Sequence, residues 1–128
     1  MDEVIVPAKP PRVTLDVQPV DNVTVVRFPR RIMLDGPDGE SVGEQLLALV
    51  QDAGRCRLVV NCARVDGLTS ATIGKLITVH KKALPLGGRL ALCQVPAKLM
   101  HILDTVKLPV LIGIYDTEQE AVQSFLAS

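Results

Sequence analysis

The middle of the chain carries three hydroxyl side chains within four positions, at Thr69, Ser70 and Thr72. An apolar run rich in β-branched residues precedes them at 58–60 and predicts a buried strand. After them, apolar residues recur at the spacing of one helical face, so a helix is predicted over 71–84. The unpaired N–H groups and the positive dipole end of a helix N-terminus favour an anion. We therefore expect the functional site at this strand-to-helix junction.

The same residues also have a purely structural interpretation. Ser70 can be the N-cap of the helix, its oxygen accepting a backbone N–H two or three residues further on, which contributes about 1 kcal/mol. Thr69 and Thr72 can be solvated or hydrogen-bonded locally. Asp66 lies in a predicted polar turn over 61–67 and can either hold that turn or meet a cation of a partner; we predict the turn role.

Other residues that could catalyse a reaction or bind a metal are scattered along the chain. His80 lies on the apolar face of the predicted helix, His101 is isolated, and Cys56, Cys62 and Cys93 show no CxxC spacing. We predict neither a metal site nor a cofactor, and interpret the cysteines as buried free thiols and His80 as a semi-buried structural histidine. No Ser/His/Asp or Cys/His grouping presents a nucleophile beside a base, so catalysis is not expected.

Basic side chains on the predicted surface remain ambiguous. Lys75, Lys81 and Lys82 lie on the exposed side of the predicted helix, and Arg30 and Arg31 precede a loop. Solvation is the default interpretation, and contact with an acidic partner is the alternative.

Composition narrows the class of protein. The 128 residues carry 14 basic and 14 acidic side chains, with two Phe, one Tyr and no Trp. Nucleic-acid modules need stacking aromatics or a basic excess, so no nucleic-acid partner is predicted. No apolar segment approaches the ~20 residues of a membrane span. The first residues lack the basic start and apolar core of a secretory signal, and we predict a cytoplasmic protein.

Strands and helices are predicted to alternate along the chain. A Pro-rich, flexible lead-in is expected over 1–12, followed by one domain over 13–128 with the order β-β-α-β-α-β-α-β-α. This order predicts an α/β fold with a mixed, mostly parallel sheet and an N-terminal antiparallel hairpin. The predicted strands are 13–17, 23–28, 58–60, 89–93 and 111–115, and the predicted helices are 40–53, 71–84, one beginning near Pro96, and one opened by a capping box at 117–120.

The segment 65–74, which reads VDGLTSATIG, resembles the STAS domain of bacterial anti-sigma factor antagonists. Family members have a strand, an Asp in the following turn, and then a pattern like Asp-Ser-Ser-Gly-Leu-Gly leading into a helix. Ser70 falls on the first serine of that pattern and Gly74 on its second glycine. The segments 87–90 (GGRL) and 115–121 (YDTEQEA) also resemble the family, and the resemblance covers about residues 13–126.

This chain departs from the family pattern at the residues of the family's phosphorylation switch. Ala71 occupies the position of the phosphorylated serine, Thr69 replaces the Asp and Thr72 replaces the first Gly. If a switch is retained, the resemblance leaves Ser70, and after it Thr69 or Thr72, as the phosphoacceptor.

The resemblance implies a non-catalytic regulator of bacterial transcription that binds an anti-sigma factor of the serine-kinase type. Binding would use the 67–75 loop and helix start. The implied partner-binding residues are Asp66, Gly67, Thr69, Ser70, Ala71, Thr72 and Lys75.

Two other functions remain open at this point. The chain could be a STAS subunit or scaffold in a larger assembly, such as a lipid transporter or a stress-signalling complex, or it could be a small-ligand or nucleotide-binding module. The sequence does not predict the oligomeric state.

Overall fold

The computed structural model describes residues 12–126, so the predicted lead-in over 1–12 lies outside the described residues except for Arg12. Seven strands and four helices are present in this part of the chain. The strands are β1 (Asp16–Val20), β2 (Val23–Arg27), β3 (Ile32–Leu34), β4 (Arg57–Asn61), β5 (Val65–Leu68), β6 (Arg89–Cys93) and β7 (Gly113–Tyr115). The helices are α1 (Gly36–Gln51), α2 (Ser70–Ala83), α3 (Ala97–Thr105) and α4 (Glu118–Leu126).

The main sheet has five strands in the order β1-β2-β4-β6-β7. Strands β1 and β2 pair antiparallel, and the remaining neighbours pair parallel. Asp21 and Asn22 join β1 to β2 with φ angles of 49° and 73°, a left-handed conformation that these two residue types tolerate and that suits a two-residue hairpin. The predicted α/β fold with an antiparallel hairpin and a mostly parallel remainder is confirmed.

Helices cover both faces of the main sheet. Strands β4 and β6 alternate side chains between the faces, so Leu58 and Leu90 join the core beneath α1, α2 and α3, while Val59 and Ala91 face α4. Burial on both faces explains why these strands are continuous apolar runs in the sequence.

Close contact between α1 and α2 depends on two glycines of α1. A Cβ added at Gly43 would lie 2.9 Å from the Cβ of Lys75, and one added at Gly39 would overlap the hydroxyl of Thr72. Both glycines are buried, and their missing side chains let α1 approach the first two turns of α2.

Strands β3 and β5 form a separate parallel pair that the sequence analysis did not predict. The segment predicted as a loop over 30–39 contains β3 and the first residues of α1, and the predicted 61–67 turn contains the start of β5. The pair holds the start of α2, because the Thr69 N–H donates to the Leu34 carbonyl at 3.2 Å.

The end of the chain follows the prediction more closely. The Thr117–Glu120 capping box is confirmed by reciprocal hydrogen bonds of 3.2 and 3.1 Å at the start of α4. The last strand begins at Gly113 rather than at Leu111, because the N–H groups of Leu111 and Ile112 donate to the Leu108 carbonyl at the end of a 3-10 turn over 108–110. Among residues 12–126, no helix has the length and apolar character needed to cross a membrane.

Candidate functional site

Thr69, rather than Ser70, is the N-cap of α2. Its backbone is extended (φ −101°, ψ 166°), and its Oγ1 accepts the N–H of Thr72 at 3.3 Å. The predicted capping role of Ser70 is therefore wrong by one position. Ser70 is the first residue of the helix, and it is exposed to solvent.

Thr72 is buried, with 3% of its surface exposed. Its Oγ1 donates to the Leu34 carbonyl at 2.9 Å and lies 3.3 Å from the Oγ1 of Thr69. This hydroxyl ties the first turn of α2 to β3. A phosphate on Thr72 would break that contact and has no room beside Gly39, so we do not carry Thr72 forward as a phosphoacceptor.

The exposed start of α2 presents small side chains. Ser70, Ala71, Gly74 and Thr78 are exposed, and we call these four residues the small-residue face. A Cβ added at Gly74 would have nothing within 4 Å, and Gly74 has no positive φ. Neither packing nor backbone conformation requires glycine here, although glycine in a helix costs about 0.5–1 kcal/mol relative to alanine.

Asp66 and Gly67 lie on β5 rather than in a turn, so the predicted turn role of Asp66 is wrong. The Asp66 carboxylate forms an ion pair with Arg31 on the neighbouring segment and lies 3.9 Å from the Nζ of Lys98. Gly67 is buried beneath the thioether of Met33, which is itself 48% exposed. A protein approaching this point would contact Met33 before Gly67.

Lys75 is half-buried because its aliphatic chain lies across Gly43 of α1. Long basic side chains commonly pack their stem in this way and keep the charged end in water. The three lysines therefore differ: Lys81 and Lys82 are exposed in the last turn of α2, where their charge suits the helix dipole.

His80 is a structural residue, as predicted. It is buried, and its Nδ1 accepts the N–H of Leu90 at 3.2 Å, which joins α2 to β6. Burial, together with the positive charge of Arg89, lowers the pKa of His80 below its usual value. The neutral ring is the form that fits this contact.

The cysteines are free thiols. Cys62 and Cys93 are buried as predicted, and burial raises the pKa of each to about 12. Cys56 differs from the prediction because it is only half-buried. At neutral pH the two buried sulfurs are thiols rather than nucleophilic thiolates.

A polar network that the sequence analysis missed closes the carboxyl end of the main sheet. Arg27 holds Glu118 through two hydrogen bonds of 2.9 and 2.5 Å, and Asn61 donates to the same carboxylate at 2.9 Å. The hydrogen bond from Arg27 is the main reason why the pKa of Glu118 is lowered. These residues are far apart in sequence, so spacing alone gave no signal. Their contacts fix the first turn of α4 to the sheet.

Metal ligation finds no support in the part of the chain that the structure describes. Between residues 12 and 126, no group of three or more His, Cys, Asp or Glu side chains is placed to hold a metal ion.

Comparison of the sequence with protein families identifies the class. The model of the STAS domain matches residues 12–121, and the chain belongs to this family. The resemblance stated from the 65–74 pattern is thereby confirmed. None of the curated proteins matches the sequence significantly.

Solved structures share the fold. An anti-sigma factor antagonist (STAS) domain protein from Planctomyces limnophilus is 25% identical, with a TM-score of 0.76 over 89% of this chain and 98% of that chain. The anti-sigma factor antagonist SpoIIAA of Bacillus, in its unphosphorylated form, is 16% identical, with a TM-score of 0.74 over 90% of this chain and 98% of that chain. The murine anion transporter Slc26a9 is 14% identical, with a TM-score of 0.68 over 87% of this chain and 19% of that chain. The fold therefore occurs both in small antagonist proteins and within a transporter.

Proposed function

We propose that this protein is a non-catalytic interaction module of the cytoplasm that binds an anti-sigma factor of the serine-kinase type. The docking surface is the small-residue face together with Thr69 and Lys75. The observation that carries the proposal is Gly74, an exposed helical glycine that the fold itself does not need. A partner that approaches the helix backbone closely at this position would explain why residue 74 is glycine, because any larger residue would fill that space.

The surroundings of the small-residue face support a protein contact. Met33, 48% exposed, covers Gly67 next to the start of α2 and offers an adaptable apolar contact. Lys75 adds a positive charge that suits an acidic rim on the partner. An apolar centre with a charged rim is the usual anatomy of a protein interface.

Phosphorylation would weaken partner binding by adding negative charge to this surface. A phosphate adds about −1.5 to −2 charges, and desolvating that anion in a contact made for small side chains is costly. Ala71 has no hydroxyl at the position that the family pattern phosphorylates, so Ser70 is the acceptor that we propose, with Thr69 second. Capping by Thr69 supports this choice, because it leaves the exposed Ser70 hydroxyl without a capping role.

Site-specific photocrosslinking tests the docking surface. The photoreactive residue p-benzoylphenylalanine replaces Lys81, which is exposed on α2 one turn beyond Thr78 and outside the small-residue face, in cells of the native host, and crosslinked proteins are identified by mass spectrometry. The matched control places the same residue at Ala48, which is exposed on α1. We expect position 81 alone to capture an anti-sigma factor with a kinase domain. Equal capture at both positions, or capture at position 48 alone, would refute the proposal.

A constitutive subunit of a larger assembly is the second candidate, and two observations favour it. The murine anion transporter contains a similar fold within a much longer chain. Ala71 also removes the hydroxyl on which a reversible switch would act. Capture of a transporter component or a scaffold protein at position 81, in place of a kinase, would select this function.

A further inference from the structure

A concave surface lies beside the candidate docking site. A cleft of about 370 Å³ is bounded by residues 12–14, by the 28–33 segment and by Asp38 in the first turn of α1. Three of its lining residues are arginines, namely Arg12, Arg30 and Arg31. We call it the arginine cleft. Its volume is within the range of small-molecule sites, roughly 300–1,000 Å³.

Charge in the arginine cleft is unbalanced. Three arginines and one acidic residue, Asp38, are among the lining residues, so the lining carries a formal excess of two positive charges. Arg12 donates to Asp38 at 2.7 Å, and Arg31 pairs with Asp66, which lies outside the cleft lining. Arg30 differs from both: within residues 12–126 its guanidinium forms no ion pair, and the residue is exposed.

The remaining lining indicates what kind of anion fits. Val13, Ile32 and Met33 give the cleft apolar walls next to the arginines. Arginine binds phosphate and carboxylate groups through two parallel hydrogen bonds, and the apolar walls suit an organic body attached to such a group. A phosphomonoester carries about −1.5 to −2 charges at neutral pH. Arg30, which forms no ion pair within residues 12–126, and a second arginine of the lining can offset that charge.

We propose that the arginine cleft binds a small organic phosphomonoester. Arg30 holds the phosphate together with Arg12, and the organic body lies against the apolar walls. This inference does not depend on the proposed partner of the small-residue face, because the arginines that carry it lie outside that face; Met33 borders both surfaces.

Arg31 connects the cleft to the strand that leads into α2. Arg31 lines the cleft, and its guanidinium pairs with Asp66 on β5. A phosphate that attracts Arg31 changes the surroundings of Asp66. Binding should therefore shift the backbone amide signals of Asp66 and of the neighbouring Gly67 in an NMR titration.

Calorimetry on the full 128-residue chain tests the proposal with three probes: phenyl phosphate, inorganic phosphate and phenol. We expect phenyl phosphate to bind most tightly, inorganic phosphate more weakly, and phenol not at all. Arg30→Gln should weaken the binding of phenyl phosphate about tenfold, as expected for the loss of one charged contact. Arg55→Gln is the matched control, because Arg55 is exposed just before β4, at the amino end of the parallel strands, whereas the 28–33 segment of the cleft follows the carboxyl end of β2.

Four results would overturn the assignment. They are no binding of phenyl phosphate at millimolar concentration, equal affinity for inorganic and phenyl phosphate, an equal loss in Arg55→Gln, and NMR shifts that avoid residues 28–33. Thermal unfolding of Arg30→Gln verifies that the variant folds. The NMR map of the unmodified chain locates the site even if that variant does not fold.

Discussion

Gly74 lies on the exposed side of α2, where an added methyl group has nothing within 4 Å. Alanine is favoured over glycine inside a helix by about 0.5–1 kcal/mol, in part because it restricts the unfolded chain. Gly74→Ala should therefore raise the free energy of unfolding by about 0.5–1 kcal/mol. For a chain of this length, that change raises the midpoint of thermal unfolding by about 2–5 °C.

Gly43→Ala provides a control with the same chemical change and the opposite expected sign. The new methyl group would lie 2.9 Å from the Cβ of Lys75, an atom fixed by the backbone of α2. The two helices would have to separate, and overpacking of this kind costs about 1–3 kcal/mol. Urea unfolding followed by circular dichroism measures both variants under the same conditions.

The same alanine at Gly74 should weaken partner binding while it stabilises the free protein. If a partner approaches the helix backbone at this point, the methyl group occupies its space, and the affinity should fall about tenfold or more. A destabilised Gly74→Ala would refute the description of an open helix surface. A stabilised variant with unchanged affinity would refute docking at Gly74.

Two further predictions concern the ends of α2. Thr69→Ala should lower the free energy of unfolding by about 1 kcal/mol, because it removes the hydrogen-bond acceptor of the Thr72 N–H. Ser70→Ala should change the free energy of unfolding little. Equal effects of the two substitutions in urea unfolding would contradict the assigned cap. Burial lowers the pKa of His80 in the folded chain, where Nδ1 accepts the Leu90 N–H. As the pH falls through about 6.5, the unfolded chain therefore takes up a proton at His80 that the folded chain does not. The contribution of His80 to the free energy of unfolding is complete above about pH 6.5 and is lost as the pH falls below that value. His80→Asn should reduce this dependence of the free energy of unfolding on pH. A pH dependence unchanged by that substitution would contradict the reasoning.

The sheet could be predicted from the sequence because local patterns determined its strands. Strands β4 and β6 are apolar runs bounded by turn residues, and the Thr117–Glu120 capping box marks the start of α4 within four residues. These signals depend on neighbours in the chain. The parallel pairing then follows from the alternation of strands with helices.

Strands β3 and β5 could not be predicted by the same reasoning. They have three and four residues, and Asp66 and Gly67 interrupt the apolar pattern of β5. Each strand depends on the other for its hydrogen bonds, across more than 30 positions of sequence. The pairing of Asp66 with Arg31 is equally non-local, so the carboxylate could only be interpreted from its apparent turn.

The position of the cap was undetermined for a different reason. Threonine and serine both serve as N-caps, and pattern reasoning does not fix a helix boundary to one residue. The contact between the Thr72 hydroxyl and the Leu34 carbonyl decides the matter in the structure, because it draws Thr72 into the third helical position. Thr69 then falls at the cap and Ser70 on the exposed first turn.

The most direct test of the docking surface is the affinity of the captured anti-sigma factor for two glutamate variants. Ala71→Glu places a carboxylate in the first turn of α2, where the helix dipole tolerates it, so the fold is retained. Ala48→Glu places the same group on the exposed side of α1. We predict that Ala71→Glu weakens binding at least about tenfold, because binding must then desolvate an unpaired charge. Ala48→Glu should bind the anti-sigma factor like the unmodified chain. Unchanged affinity of Ala71→Glu would contradict the account.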